Sequence, residues 1–193
     1  LEVDVKVDPS MNSGIQIRSN SHGDYQDGRV HGYQVEIDPS ERAWSGGIYD
    51  EGRRGWLYDL SSDPDARKAF KPNDWNHYRI EAIGDTLKTW INGIPTAHLV
   101  DEKTPTGFIG LQVHSIGPDV EEGREVKWKN LKIRTKNLDQ HMKSSTLEPV
   151  FTNNQLTPQE IKDGWKMLWD GPTTSGWRGA RLVRFPEAGW PVV

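Results

Sequence analysis

The sequence predicts an all-β protein, an antiparallel β-sandwich, and three observations point there. Short segments of strict two-residue alternation recur, as where Leu1, Val3, Val5 and Val7 are set against Glu2, Asp4 and Lys6. Gly and Pro punctuate the intervals between these segments. No long stretch with the helical 3.6-residue period occurs before residue 155. A chain of 193 residues has room for one sandwich-sized domain and an extension.

The elements follow in order. Leu1 to Val7 reads as a half-buried strand. In "GIQIRS", Ile15 and Ile17 point inward, with Gln16 and Arg18 outward. In "GYQVEID", Tyr33, Val35 and Ile37 face the core while Gln34, Glu36 and Asp38 leave the other face. The Gly- and Arg-rich stretch 42–59 reads as a loop. Residues 77–93 read as two strands joined at Gly84-Asp85, with a further turn at Asn92-Gly93. "GFIGLQVHS" and "VKWKNLKIR" supply two more strands. Residues 145–156 are polar and turn-rich, a linker. Thr157 then serves as N-cap, Pro158 suits the first helical position and Glu160 completes a capping box. The resulting helix, 158–163, ends before Gly164.

Composition excludes several classes of function. No apolar run approaches the roughly 18–20 residues of a membrane span. A net charge of -4 argues against nucleic acid or an anionic membrane as partner. Without cysteine there is no disulfide and no thiolate metal site. Leu1 in place of Met implies a processed or trimmed start. Nine Trp offer flat apolar faces for core packing first and sugar stacking second.

The outward residues form an unusual set: Gln16, Arg18, Gln34, Glu36, Asp38, Gln112 and His114, with no Lys, Ser or Thr among them. One explanation is a solvated face with incidental ion pairs such as Arg18 to Glu36. The other is a binding surface for a polyhydroxylated ligand, since sugar hydroxyls donate and accept and planar polar groups engage them in pairs. His114 suits a general base or a metal ligand, with Gln112 and His114 on one face able to share a divalent cation with Glu36 or Asp38. The remaining histidines read as surface residues.

Two resemblances compete. "EIDPSE", Glu36 to Glu41, is similar to the Glu-x-Asp-x-x-Glu pattern of retaining β-glucanases, which implies Glu36 as nucleophile and Glu41 as acid/base. That pairing needs a bulge, because five residues is an odd step. The second covers most of the chain. "NSGIQIRS", "GYQVEID", "GGIYDEGRRGW", "WNHYRIEAIGDTLKTWINGIP", "GFIGLQVHS" and "VKWKNLKIR" resemble, in order, blocks of the 3-keto-disaccharide hydrolase domain family over residues 1 to about 134. Val113 stands where that family often has Asp. The family's opening block is absent before Leu1 and resembles "GWKMLWDGPTTSGW" at 164–177 instead. The chain thus reads as one copy lacking its first part (1–144), the linker, and the start of a second copy (157–193).

This second resemblance implies a concanavalin-like jelly roll acting on glycosides oxidised at C3, whose ketone acidifies the C2–H so that the C1 substituent is eliminated and water then adds. It implies Glu36, Asp38 and His114 as catalytic candidates. Arg18, or a divalent cation held by Glu36 and His114, is the electrophile. Gln34, Gln112, Tyr49 and Trp56 position the substrate, Tyr49 and Trp56 serving equally well as loop anchors. The expected partner is an oxidised glycoside or oligosaccharide, and the expected location periplasmic or extracellular. A noncatalytic carbohydrate-binding module using the same face remains the alternative, beside the glucanase.

Overall fold

The structure is a computed structural model that describes residues 1–114, 123–152, 162–168, 176–182 and 185–186. Leu1–Val150 form one compact unit and Phe151–Val193 a second. The strands are β1 (Glu2–Val7), β2 (Ser13–Asn20), β3 (His31–Ile37), β4 (Ile48–Glu51), β5 (Gly55–Tyr58), β6 (Asn76–Ile83), β7 (Thr86–Ile91), β8 (Ile94–Val100), β9 (Phe108–Leu111), β10 (Val126–Lys132) and β11 (Val150–Phe151). They make a six-stranded sheet in the order β10-β1-β6-β7-β8-β11 and a five-stranded sheet in the order β5-β4-β3-β2-β9. The pairings between β1 and β10 and between β1 and β6 are antiparallel, as are those along β6-β7-β8 and throughout the five-stranded sheet. This is the all-β sandwich expected from alternation.

The inward sets of that alternation meet as the core. Val3, Val5 and Val7 of β1, Ile15 and Ile17 of β2, and Tyr33, Val35 and Ile37 of β3 are all buried. Tyr78 and Ile80, Leu87 and Ile91, and Ala97 and Leu99 complete it from β6, β7 and β8. The expected turns form: Gly84 lies at φ 59° between β6 and β7, and Asn92 and Gly93 lie at φ 52° and 85° between β7 and β8. Two consecutive positive φ values are the signature of the tight hairpin turn that Asn-Gly favours.

One reading changes. The stretch 42–59 is not all loop, since β4 and β5 lie within it. Its Arg and Gly content hid them because Arg53 and Arg54 fold back onto Asp50, the residue paired with Gly55 in the β4–β5 hairpin. Segment 138–147 lies against the six-stranded sheet. Arg79 donates to the His141 carbonyl at 2.6 Å, the Lys143 N–H to Glu81 at 3.0 Å, and His98 Nδ1 lies 2.8 Å from the Leu147 carbonyl. This strap covers Trp90, only 1% exposed, with Lys143 Nζ 5.4 Å from the ring.

In the second unit the Trp177 indole donates to the Leu168 carbonyl at 2.7 Å. The expected helix at 158–163, apart from its last two positions, lies outside the described residues, as does Trp169. Among the described residues no helix is long and apolar enough to cross a membrane.

Candidate functional site

The register of the five-stranded sheet lines up one row of outward side chains. Gln16 pairs with Gln34, Gln34 with Tyr49, and Tyr49 with Trp56. On the other side Gln16 faces Gly110. Registered partners project from the same face, so amides give way to aromatics across the sheet. The neighbouring row holds Glu36 opposite Gly14. Gln112 continues it, its N–H donating to the Gly14 carbonyl at 2.9 Å. Gly14 is required there because a Cβ would sit 2.6 Å from Gln34 Cγ and Cδ. The Gln34 side chain lies over that glycine and reaches Glu36.

A chain of hydrogen bonds runs along this face. The Ser19 hydroxyl donates to Gln16 Oε1 at 2.7 Å, Gln16 Nε2 to Gln34 Oε1 at 2.6 Å, and Gln34 Nε2 to Glu36 Oε2 at 2.9 Å. Asn12 Nδ2 donates to the other Glu36 oxygen at 2.5 Å, and Arg42 Nη2 approaches it at 3.4 Å. Arg42 Nε also donates to Asp38 Oδ2 at 2.7 Å. The face is therefore not a solvated one: Gln16, Gln34, Glu36 and Asp38 are all at most 5% exposed. Such burial is tolerated because each group is paired. One group is not: Gln112 Oε1 is buried and accepts no hydrogen bond from the described residues.

The two carboxylates differ in proton affinity. Burial pushes Glu36 above its ordinary value, against the opposing hydrogen bonds from Asn12 and Gln34 and the Arg42 charge. Burial also acts upward on Asp38. There the Ser40 hydroxyl, Arg42 and the Trp44 N–H outweigh it and hold the carboxyl below its ordinary value. A pair of neighbouring acids whose environments drive them apart is the usual basis for dividing acid and base roles.

Arg42 escaped the sequence reading. Its Cζ lies 4.9 Å from the Trp44 ring centroid and 5.1 Å from that of Trp56, within cation–π range. Its side chain is 42% exposed, so a charged edge stays open to solvent. The signal available was "DPSERAW", a turn that returns the chain to the carboxylates. Read as a loop, it gave Arg42 no direction.

The expected residues separate into two groups. Gln34, Glu36, Asp38, Tyr49, Trp56 and Gln112 share this face. Arg18 does not. A bulge between Ile17 and Asn20 shifts the β2 register, and Arg18, at φ 47°, donates instead to the Gly84 carbonyl of the β6–β7 hairpin at 2.7 Å. Ser19 takes the place on the polar face that strict alternation assigned to Arg18. His114 is exposed beyond the end of β9. Glu41 is exposed in the turn after β3, which ends at Ile37, and no bulge brings it beside Glu36. The glucanase pairing therefore lacks its second carboxylate.

The metal role fits these residues poorly. Both Glu36 oxygens accept N–H donors, and the Arg42 guanidinium lies 3.4 Å from one of them. Among the described residues no group of three or more His, Asp or Glu is placed to hold a metal ion.

No curated protein matches the chain. Residues 1–134, which carry every side chain of this face, match the family model described as the 3-keto-alpha-glucoside-1,2-lyase-like domain. That agrees with the blocks recognised in the sequence, and the chain belongs to this family.

Proposed function

We propose that this face cleaves glycosides already oxidised to a ketone at C3, by elimination across C1–C2 followed by hydration. The observation that carries the reading is Glu36: a buried carboxylate of raised proton affinity, held on both oxygens, with the Arg42 cation 3.4 Å away. A base has to be desolvated and aimed, and the charge it creates has to be met.

Glu36 takes the C2 proton that the C3 ketone acidifies. The electron pair moves into C2–C3, and the negative charge forms on the C3 oxygen beside Arg42. Collapse of that enolate forms the C1–C2 double bond as the C1–O bond breaks, and the leaving oxygen takes up a proton from solvent water. Water then adds, its hydroxyl to C1 while C2 regains a proton from Glu36, and its remaining proton replaces the one the solvent gave up. Asp38 stays ionised and fixes Arg42 through Nε. Gln34 and Asn12 set the Glu36 rotamer, and Gln112 lies on the same face. No step runs through a metal.

The test compares a 3-keto-disaccharide with its unoxidised parent. Cleavage of the oxidised sugar alone, falling about 100-fold or more in Glu36→Gln, is expected. Turnover unchanged by a chelator is expected too. Equal cleavage of both sugars overturns the reading, and so does full activity of Glu36→Gln. Binding of the parent without turnover of either sugar would identify a binding module instead. Activity lost to a chelator and restored by a divalent cation would return Glu36 and His114 to the role of ligands.

A further inference from the structure

Resting on that reading, we propose that Trp44, Tyr49 and Trp56 form the subsite for the leaving group, selecting glycosides whose leaving group presents a flat ring. Trp56 stands on β5, two strands from Glu36 on β3. At roughly 4.8 Å between strands, that places the shelf about 10 Å across the sheet from the base, a span that accommodates an adjacent ring. The reacting ring then lies over the amides and carboxylates, and the ring linked through C1 reaches the aromatics.

The shelf has an ordered geometry. Trp44 and Trp56 meet edge to face with centroids 4.8 Å apart, and Tyr49 and Trp56 do so at 5.2 Å. Arg42 packs on both tryptophans while holding Glu36 and Asp38. All three rings are half-buried, unlike the core aromatics Tyr33 and Tyr78, which are fully buried. Because Arg42 bridges shelf and carboxylates, a ring stacked on Trp56 also orders the cation that meets the developing charge.

The flat ring has two chemical sources, an aryl group or a second pyranose, and the experiment separates them. Specificity constants are measured for the 3-keto forms of 4-nitrophenyl glucoside, a glucosyl disaccharide and methyl glucoside. The aryl and disaccharide substrates are expected to exceed the methyl glucoside, and Trp56→Ala to cut that preference about tenfold, equivalent to roughly 1.4 kcal/mol. Trp56→Phe is expected to keep most of it, and Trp75→Ala, beside β6, all of it. A preference lost only for the aryl or only for the sugar substrate identifies which ring the shelf takes. A preference unchanged in Trp56→Ala overturns the proposal and leaves these rings as loop anchors.

Calorimetric titration of unoxidised 4-nitrophenyl glucoside into Glu36→Gln judges the shelf without any chemistry. Affinity at least tenfold above methyl glucoside supports it, and equal affinity overturns it. If Glu36→Gln turns out fully active, the base assignment fails while this titration still decides the subsite.

Discussion

Glu36 and Asp38 leave the same face of one segment two residues apart, yet their proton affinities move in opposite directions. The difference is one of partners. Asp38 accepts the Ser40 hydroxyl and N–H, Arg42 Nε and the Trp44 N–H, while Glu36 is held chiefly by amides. In its proposed role as base, Glu36 must be ionised, so kcat/KM is expected to rise with pH through its elevated pKa. The acid limb of the profile is expected above the ordinary glutamate value of 4.5. Asn12 stabilises the ionised form, so Asn12→Ala moves that limb to still higher pH, which a pH–rate series reads directly. Stability carries the matching sign. A carboxyl whose folded pKa is raised costs stability as pH climbs from its unfolded value through its folded one. Glu36→Gln therefore removes that downward slope, measurable by denaturant unfolding across the window.

Among the elements, β2 decides most about the site. Its bulge sends Arg18 toward Gly84 and brings the Ser19 hydroxyl to Gln16, where the hydrogen-bonded chain begins. The partner strand accommodates it through Gly32, at φ 139°, where a Cβ would lie 2.6 Å from Ser19 Oγ. Gly32→Ala meets both strain and a close contact. A loss of about 1–3 kcal/mol in unfolding free energy is expected, together with lower turnover as Gln16 and Gln34 lose their order. Denaturant melts and initial rates check the two effects. A variant as stable and active as the parent would show that the bulge is dispensable.

Across the whole molecule, the two sheets are joined by buried polar ties as well as by the core. The Thr89 hydroxyl donates to the Gly46 carbonyl at 2.6 Å, and the Tyr78 hydroxyl to the Glu36 carbonyl at 3.4 Å. The second tie connects the Glu36 backbone to the opposite sheet. At another place the Tyr33 hydroxyl donates to Asp101, which follows β8 and receives Arg54 at 2.8 and 3.0 Å. Burial and that carboxylate push the Tyr33 phenol up to about 12. Arg54 and Arg53 also hold Asp50, which is 0% exposed. Removing the Asp101 carboxylate takes one partner from the buried Tyr33 hydroxyl and one from Arg54, which keeps Asp50. Asp101→Ala is expected to cost about 2 kcal/mol, lowering Tm by roughly 4–8 °C at this domain size. Thermal unfolding measures it, and an unchanged Tm would mean that packing alone sets the spacing of the sheets.

Alternation by itself determined the fold class, the inward set and most of the polar face. The side-chain period of a strand is fixed by backbone geometry, so Val3, Ile15, Val35 and Gln34, Glu36 declare their faces without reference to neighbours. Asn92-Gly93 declared its turn in the same local way. Tertiary structure decided what the period does not encode. Strand order set Tyr49 and Trp56 beside Gln34, a bulge removed Arg18 from the face, and a turn folded Arg42 back between two carboxylates and two tryptophans. β4 and β5 stayed hidden because the Arg and Gly residues of their turn mask the alternation: Arg53 and Arg54 fold onto Asp50 within the hairpin, and the tie from Arg54 to Asp101 exists only once the sheets have met. The burial of Glu36, and with it its raised proton affinity, arises in the packed fold, because desolvation is a property of the surroundings and not of the residue.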